Sequence, residues 1–217
     1  MINFEGPVLV TGTDTGVGKT ITTAALAVAL MDQGKTVDVV KLAQTGDDDD
    51  AEVVNRLSGA PARCLARYPD PLAPFAAARR AEAEPLKLPE VADLVLDSPA
   101  DVVLLEGAGG LLVQMGEGGW TVRDLAVEVG CPAVVVARAG LGTLNHTALT
   151  LEALSRRGIE AAVVIGSWPY QPGLAEFENL IDLPGERLGW IPGGAGEYEP
   201  EVFRRLAPEW LDLTGRE

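Results

Sequence analysis

Cysteine, basic side chains and long apolar runs are all in short supply in this 217-residue chain. Its two cysteines, Cys64 and Cys131, are far apart and in no C-x-x-C pairing, which argues against a disulfide framework and a cysteine-built zinc site. Only 17 Lys and Arg face 32 Asp and Glu, for a net charge of −15. With no basic excess to neutralise phosphates or anionic headgroups, the charge argues against a general nucleic-acid binder or a binder of acidic membranes. No stretch reaches the roughly 18 apolar residues of a membrane span. Residues 1–10 also lack the basic segment and apolar core of a signal peptide. A cytoplasmic, reduced protein is expected. Four tryptophans, Trp120, Trp168, Trp190 and Trp210, form no stacking array and read as packing or loop residues. What is present is ordinary globular material, 47% hydrophobic and 23% charged. That length suits one α/β domain, residues 1–217, with a layered core.

Short β-branched runs at 8–10, 36–41, 101–105, 133–137, 162–165 and, more weakly, 188–191 predict strands. Several are apolar at nearly every position, as in strands covered on both faces. Helical stretches lie between them at 19–33, 50–57, 89–96, 122–129 and 144–157, most of them closing at a glycine. The alternation predicts a parallel sheet flanked by helices and joined by right-handed crossovers. Residues 69–89, rich in Pro, Ala and charge, predict an excursion with one short helix and no strand.

The first strand runs into Gly12-Thr13-Asp14-Thr15-Gly16-Val17-Gly18-Lys19-Thr20 and then directly into a helix. Gly16 and Gly18 let backbone N–H groups turn toward an anion without Cβ interference. The helix start adds its positive dipole end, Lys19 reaches the β/γ-phosphates, and Thr20 offers a hydroxyl to Mg²⁺. The common pattern would put glycine at 13, where this chain has threonine. Strand, loop and helix together still predict a P-loop site for a nucleoside triphosphate.

Partition-type ATPases carry a second lysine early in this loop, at the place of Asp14. Gly12 to Thr20 instead resembles the signature of dethiobiotin synthetases. The resemblance continues at Lys41-Leu42-Ala43-Gln44-Thr45-Gly46, with Leu42 where the family has proline. It extends through Asp50-Ala51, Glu106-Gly107-Ala108-Gly109-Gly110, Gly142-Thr143-Leu144-Asn145-His146 and Gly189-Trp190-Ile191-Pro192. These blocks keep the family's order over nearly the whole chain.

The resemblance implies ATP-dependent ureido ring closure: 7,8-diaminopelargonate, CO₂ (or bicarbonate as its source) and ATP give dethiobiotin, ADP and phosphate. It implies Lys19 and Lys41 as the catalytic cations. It implies Mg²⁺ held by Thr20, Asp50 and Glu106, with an offset to Asp49 left open by the acidic run 47–50. Nucleotide contacts are implied at Gly16, Val17, Gly18, Lys19, Thr20, Ile21, Asp50, Glu106, Gly107, Ala108 and Gly109. Gly166, Ser167, Pro192, Gly193 and Gly194 complete them on the base side. Substrate contacts are implied at Thr15, Lys41, Thr45, Gly142, Thr143, Leu144 and Asn145, the last four reaching across a homodimer interface. Thr143 also reads as an ordinary helix cap, and His146 as a local hydrogen-bonding residue rather than a base. The family reads adenine with an asparagine where this chain has Gly166 and Ser167. Weak base selectivity is therefore expected, unless Gln171 or Asn179 supplies the missing amide. Two other classes fit the phosphate loop alone: a dimeric switch ATPase acting on a protein partner, and a small-molecule kinase or amide ligase of related fold.

Overall fold

The computed structural model describes residues 2–213. Seven strands make one sheet: β1 Gly6–Gly12, β2 Val37–Thr45, β3 Ala62–Tyr68, β4 Val102–Gly110, β5 Ala133–Ala137, β6 Ala161–Trp168 and β7 Glu186–Pro192. Their order is β3-β2-β4-β1-β5-β6-β7, and every pairing is parallel. The helices are α1 Lys19–Asp32, α2 Asp50–Ser58, α3 Pro74–Arg80, α4 Leu88–Leu96, α5 Val122–Glu128, α6 Thr143–Ser155, α7 Leu174–Asp182 and α8 Pro200–Leu206.

The near-continuous apolar runs divide strictly by parity. Val8, Val10, Val102, Leu104, Val134, Val136 and Val164 enter one buried cluster, together with α1, α2 and α8. Leu9, Val103, Leu105, Val135 and Val163 enter a second cluster on the opposite face, with α3, α4 and α5. A strand buried on both faces has no polar side to show, so alternation vanishes from the sequence. Helix α1 is buried from Thr22 to Leu30, and its alanines let it lie close between sheet and outer helices. Among the described residues, no helix is long and apolar enough to cross a membrane.

Three expectations change. Strand β3 lies within 59–68, where none is expected; it is an edge strand carrying Arg63 and Arg67, and its pairing with β2 comes from backbone hydrogen bonds. Strands β2 and β4 run past Lys41 and Glu106, so both residues lie inside strands rather than at their ends. The segment 107–110, beyond the strand expected at 101–105, is still strand. The excursion after Tyr68 carries the short helix α3, as expected. Three of the tryptophans pack edge-on or tilted against other rings, Trp168 against Phe177 and Trp190, and Trp210 against Tyr198 and Phe203, in keeping with a packing role.

Candidate active site

The loop between β1 and α1 closes over itself. A Cβ at position 12 would lie 2.8 Å from the Asp14 carbonyl oxygen and 3.1 Å from Lys19 Nζ, which is why glycine stands there rather than at 13. Gly18, at φ +98°, is the N-cap of α1. No acidic residue occupies the first turn of α1, so its free N–H groups and dipole are left for an anion. Lys19 Nζ folds back to donate to the Asp14 carbonyl at 3.0 Å. The Asp14 carboxylate accepts from Thr15 N at 2.7 Å and from Arg138 at 2.8 Å. A second lysine at position 14 would remove this pairing. Arg138 follows β5 directly; its place at a strand end facing the loop is the signal that would have marked it.

The parallel register of β2 and β4 sets Lys41 directly beside Glu106. Lys41 Nζ bonds Glu106 Oε1 at 2.7 Å and Asp50 Oδ2 at 2.5 Å, and lies 3.3 Å from the Gly107 carbonyl. Thr20 Oγ1 donates to the same Glu106 oxygen at 3.0 Å. The other oxygen, Oε2, is buried with no hydrogen-bond partner. Four side chains from β2, β4, α1 and α2 thus converge at one point.

Helix capping gives Asp49 and Asp50 different surroundings. Asp49 caps α2, accepting from Glu52 N at 3.0 Å, and its other oxygen pairs with Arg67 at 2.7 Å. Asp50, one residue on, lines the cavity, and its N–H donates to Gln44 Oε1 at 3.2 Å. Gln44 is buried and was not among the expected site residues. Burial, and then the neighbouring Lys41 charge, push Lys19 below the ordinary lysine range. Burial acts on Lys41 in the same sense, but the Glu106 and Asp50 carboxylates together outweigh it and hold its ammonium above that range.

An open cavity of about 380 Å³ joins these groups. Thr15, Gly16, Gly18, Lys19, Thr20, Ile21, Lys41, Thr45, Asp50, Glu106, Ala108 and Gly109 line it. Val17 and Gly107 do not: the Val17 side chain is buried, and Gly107 packs against Val122. Gly166, Ser167, Pro192, Gly193 and Gly194 form a separate group beside the phosphate loop, held by the Gly193 N–H donating to the Trp168 carbonyl at 2.7 Å. Gly142 to Asn145 lie outside the cavity. There Gly142, not Thr143, is the N-cap, and Thr143 Oγ1 meets Thr147 Oγ1 instead, so the capping role expected of Thr143 is absent. His146 is exposed and lines no part of the cavity. Asn179 is buried and donates to the Ala139 carbonyl at 2.8 Å, which removes it as a reader of the base.

Comparison with known proteins places this geometry. A family model described as an AAA domain matches residues 7–192. The ATP-dependent dethiobiotin synthetase BioD of Rhodococcus jostii is 51% identical over 95% of this chain and 94% of its own length. That of Streptomyces coelicolor is 50% identical over 94% and 92%. The chain belongs to the dethiobiotin synthetase family. Solved structures extend the likeness in fold alone. The septum site-determining protein MinD of Pyrococcus horikoshii superposes with a TM-score of 0.57 at 19% identity, over 94% of this chain and 95% of its own. The cell division ATPase MinD of Pyrococcus furiosus gives 0.56 at 22%, over 94% and 98%. This chain therefore shares its P-loop α/β architecture with these MinD proteins.

Proposed function

We propose that this dethiobiotin synthetase family member closes the ureido ring of 7,8-diaminopelargonate with CO₂ and ATP, giving dethiobiotin, ADP and phosphate. The observation that carries the reading is the convergence of Lys41, Glu106, Asp50 and Thr20 beside the phosphate loop. A carbamate and a triphosphate are both anions, and drawing them together in a part-dry cavity is repulsive. Lys19 and Lys41 are the cations placed to offset this within a chain of net charge −15.

Backbone N–H groups of 16–20 and the Lys19 ammonium bind the phosphates. Thr20, Asp50 and Glu106 fit a magnesium ion: three oxygen donors face one cavity, and a buried carboxylate oxygen has no partner. An ion held by three protein oxygens would take the rest of its shell from phosphates and water. When bound, Mg²⁺ would neutralise charge on the phosphate oxygens. Lys41 orients the carbamate. Its oxygen attacks the γ-phosphorus, the bond to the ADP oxygen breaks, and a carbamic–phosphoric anhydride results. The neighbouring amine then attacks the carbamoyl carbon, a C–N bond forms and phosphate departs with the C–O electrons. Each amine has to be neutral to attack, and nearby ammonium groups favour that form.

Asn145 is exposed and outside the cavity of its own chain, so its substrate role is read as serving a partner subunit. Leu112, Leu141 and Leu149, at 54%, 87% and 56% exposure, supply apolar surface for such a homodimer. Mixing inactive Lys41→Ala and Asn145→Ala subunits should then restore part of the activity. A fully active monomer would refute the composite site.

The direct test is phosphate release with and without the diamine and bicarbonate. Release that depends on both, with dethiobiotin formed in equal amount, supports the synthetase reading. Release indifferent to the diamine would favour a switch ATPase, and phosphate transferred stably to the diamine a kinase.

A further inference from the structure

The Lys41 ammonium is ringed by three oxygen atoms, two of them hydrogen-bond acceptors and the third an ion-pair partner. They are Asp50 Oδ2 at 2.5 Å, Glu106 Oε1 at 2.7 Å and the Gly107 carbonyl at 3.3 Å. The side chain is only 5% exposed, as against 25% for Asp50 and 1% for Glu106. A buried lysine so engaged is held on its own carboxylates and is not turned to a carbamate or a phosphate oxygen. Nor can it move away alone, because that would leave two carboxylates, one of them fully buried, without a cation. The groups that hold it are the same ones read above as ligands of a divalent ion. Thr20, too, is turned inward, spending its hydroxyl hydrogen on Glu106.

We propose that Lys41 is an internal counter-cation for the Asp50–Glu106 pair, which a divalent cation displaces, so that metal entry frees Lys41 for the substrate. This rests on the magnesium reading of Thr20, Asp50 and Glu106 and adds an order of events to it. Two positive charges cannot share one carboxylate pair at these distances without strong repulsion. The exchange trades one cation for another, so the buried carboxylates are never left unpaired. Lys19 lines the same cavity as Lys41, and the repulsion of two like charges gives the displaced lysine a reason to move toward an anionic substrate instead of the phosphate loop. The diamine's carbamate would then meet a competent Lys41 only after metal has bound.

The experiment measures metal binding rather than turnover. Mn²⁺ is titrated into nucleotide-free wild-type, Lys41→Gln and Lys19→Gln proteins, with free Mn²⁺ read by electron paramagnetic resonance. Displacement predicts Mn²⁺ binding to Lys41→Gln at least about 30-fold tighter than to wild type. Lys19→Gln, which removes the same charge from the same cavity, should gain less than about threefold, since only general electrostatics acts there. Equal gains in both variants, or no gain in Lys41→Gln, would overturn the proposal. A wild-type measurement stands beside it should Lys41→Gln fold poorly. Labelling with an amine-reactive ester, read by mass spectrometry, should modify Lys41 at least about tenfold faster at saturating Mn²⁺, whereas an unchanged rate would overturn the exchange. Adding a non-hydrolysable nucleotide separates the two readings. If Mn²⁺ binds with nucleotide but neither assay shows exchange, the metal site stands and the displacement fails. If Mn²⁺ does not bind even then, the metal site itself is refuted.

Discussion

Replacing Gly166 by alanine would put a methyl group where backbone already lies. A Cβ at 166 would sit 2.1 Å from the Val17 carbonyl oxygen and 2.4 Å from Val136 Cγ1. From the other side, a Cβ at Gly18 would sit 2.3 Å from the Gly166 carbonyl oxygen. The end of β6 and the phosphate loop are thus packed backbone to backbone. Both contacting segments are main chain in a closed core, so relief requires the loop itself to move. Overpacking of this kind costs about 1–3 kcal/mol. For a chain of this size that is a melting temperature lower by roughly 2–12 °C. The displaced atoms carry the phosphate-binding N–H groups, so the same strain should also weaken nucleotide binding. A loss of about 1.4 kcal/mol there is tenfold in Kd. Calorimetric titration with a non-hydrolysable ATP analogue, alongside thermal melts, reads both effects. Glu178→Ala, at an exposed position of α7, is the control and should leave both within about twofold or 1 °C, as surface changes usually do. If Gly166→Ala bound nucleotide like the wild type and melted at the same temperature, the close packing of loop and strand would be refuted.

Lys41→Ala should lower turnover about 10²-fold or more while nucleotide binding changes little, because Lys19 and the loop N–H groups hold the phosphates; near-wild-type turnover at saturating substrates would remove Lys41 from catalysis. With Asn179 committed to Ala139 and Ser167 offering only a rotatable hydroxyl, kcat/KM should differ less than about tenfold among ATP, CTP and GTP. An ATP preference beyond about a hundredfold would show that another group, such as exposed Gln171, reads the base. Burial pushes the Cys131 thiol up to about 12 and raises Cys64 as well, so neither should be thiolate near neutral pH. Thiol labelling at pH 8 should therefore be slow in the folded protein and fast in denaturant; rapid labelling of Cys131 before unfolding would contradict its burial.

The two-sided sheet, six of its seven strands, the helices from α1 to α6 and the phosphate loop were legible in the sequence, whereas β3, α7 and α8 were not. Each depends on near neighbours: apolar runs, a glycine-rich turn, a helix start within a few residues. Lys41, Asp50, Glu106 and Thr20 could be named from their motifs, but not their common meeting point. Lys41 and Glu106 are 65 residues apart, and only the parallel register of β2 with β4 sets them side by side. That register is set by how both faces of the sheet bury against their helices, and no local pattern records it. The same applies to the different surroundings of Asp49 and Asp50, set when α2 took Asp49 as its cap and Arg67 of edge strand β3 came to pair with it. Strand β3 was itself invisible, since an edge strand needs partners for its backbone but little apolar side chain. Gly166 shows the limit most plainly. From sequence it is a missing amide; in the fold it is the only side chain size that lets β6 touch the phosphate loop.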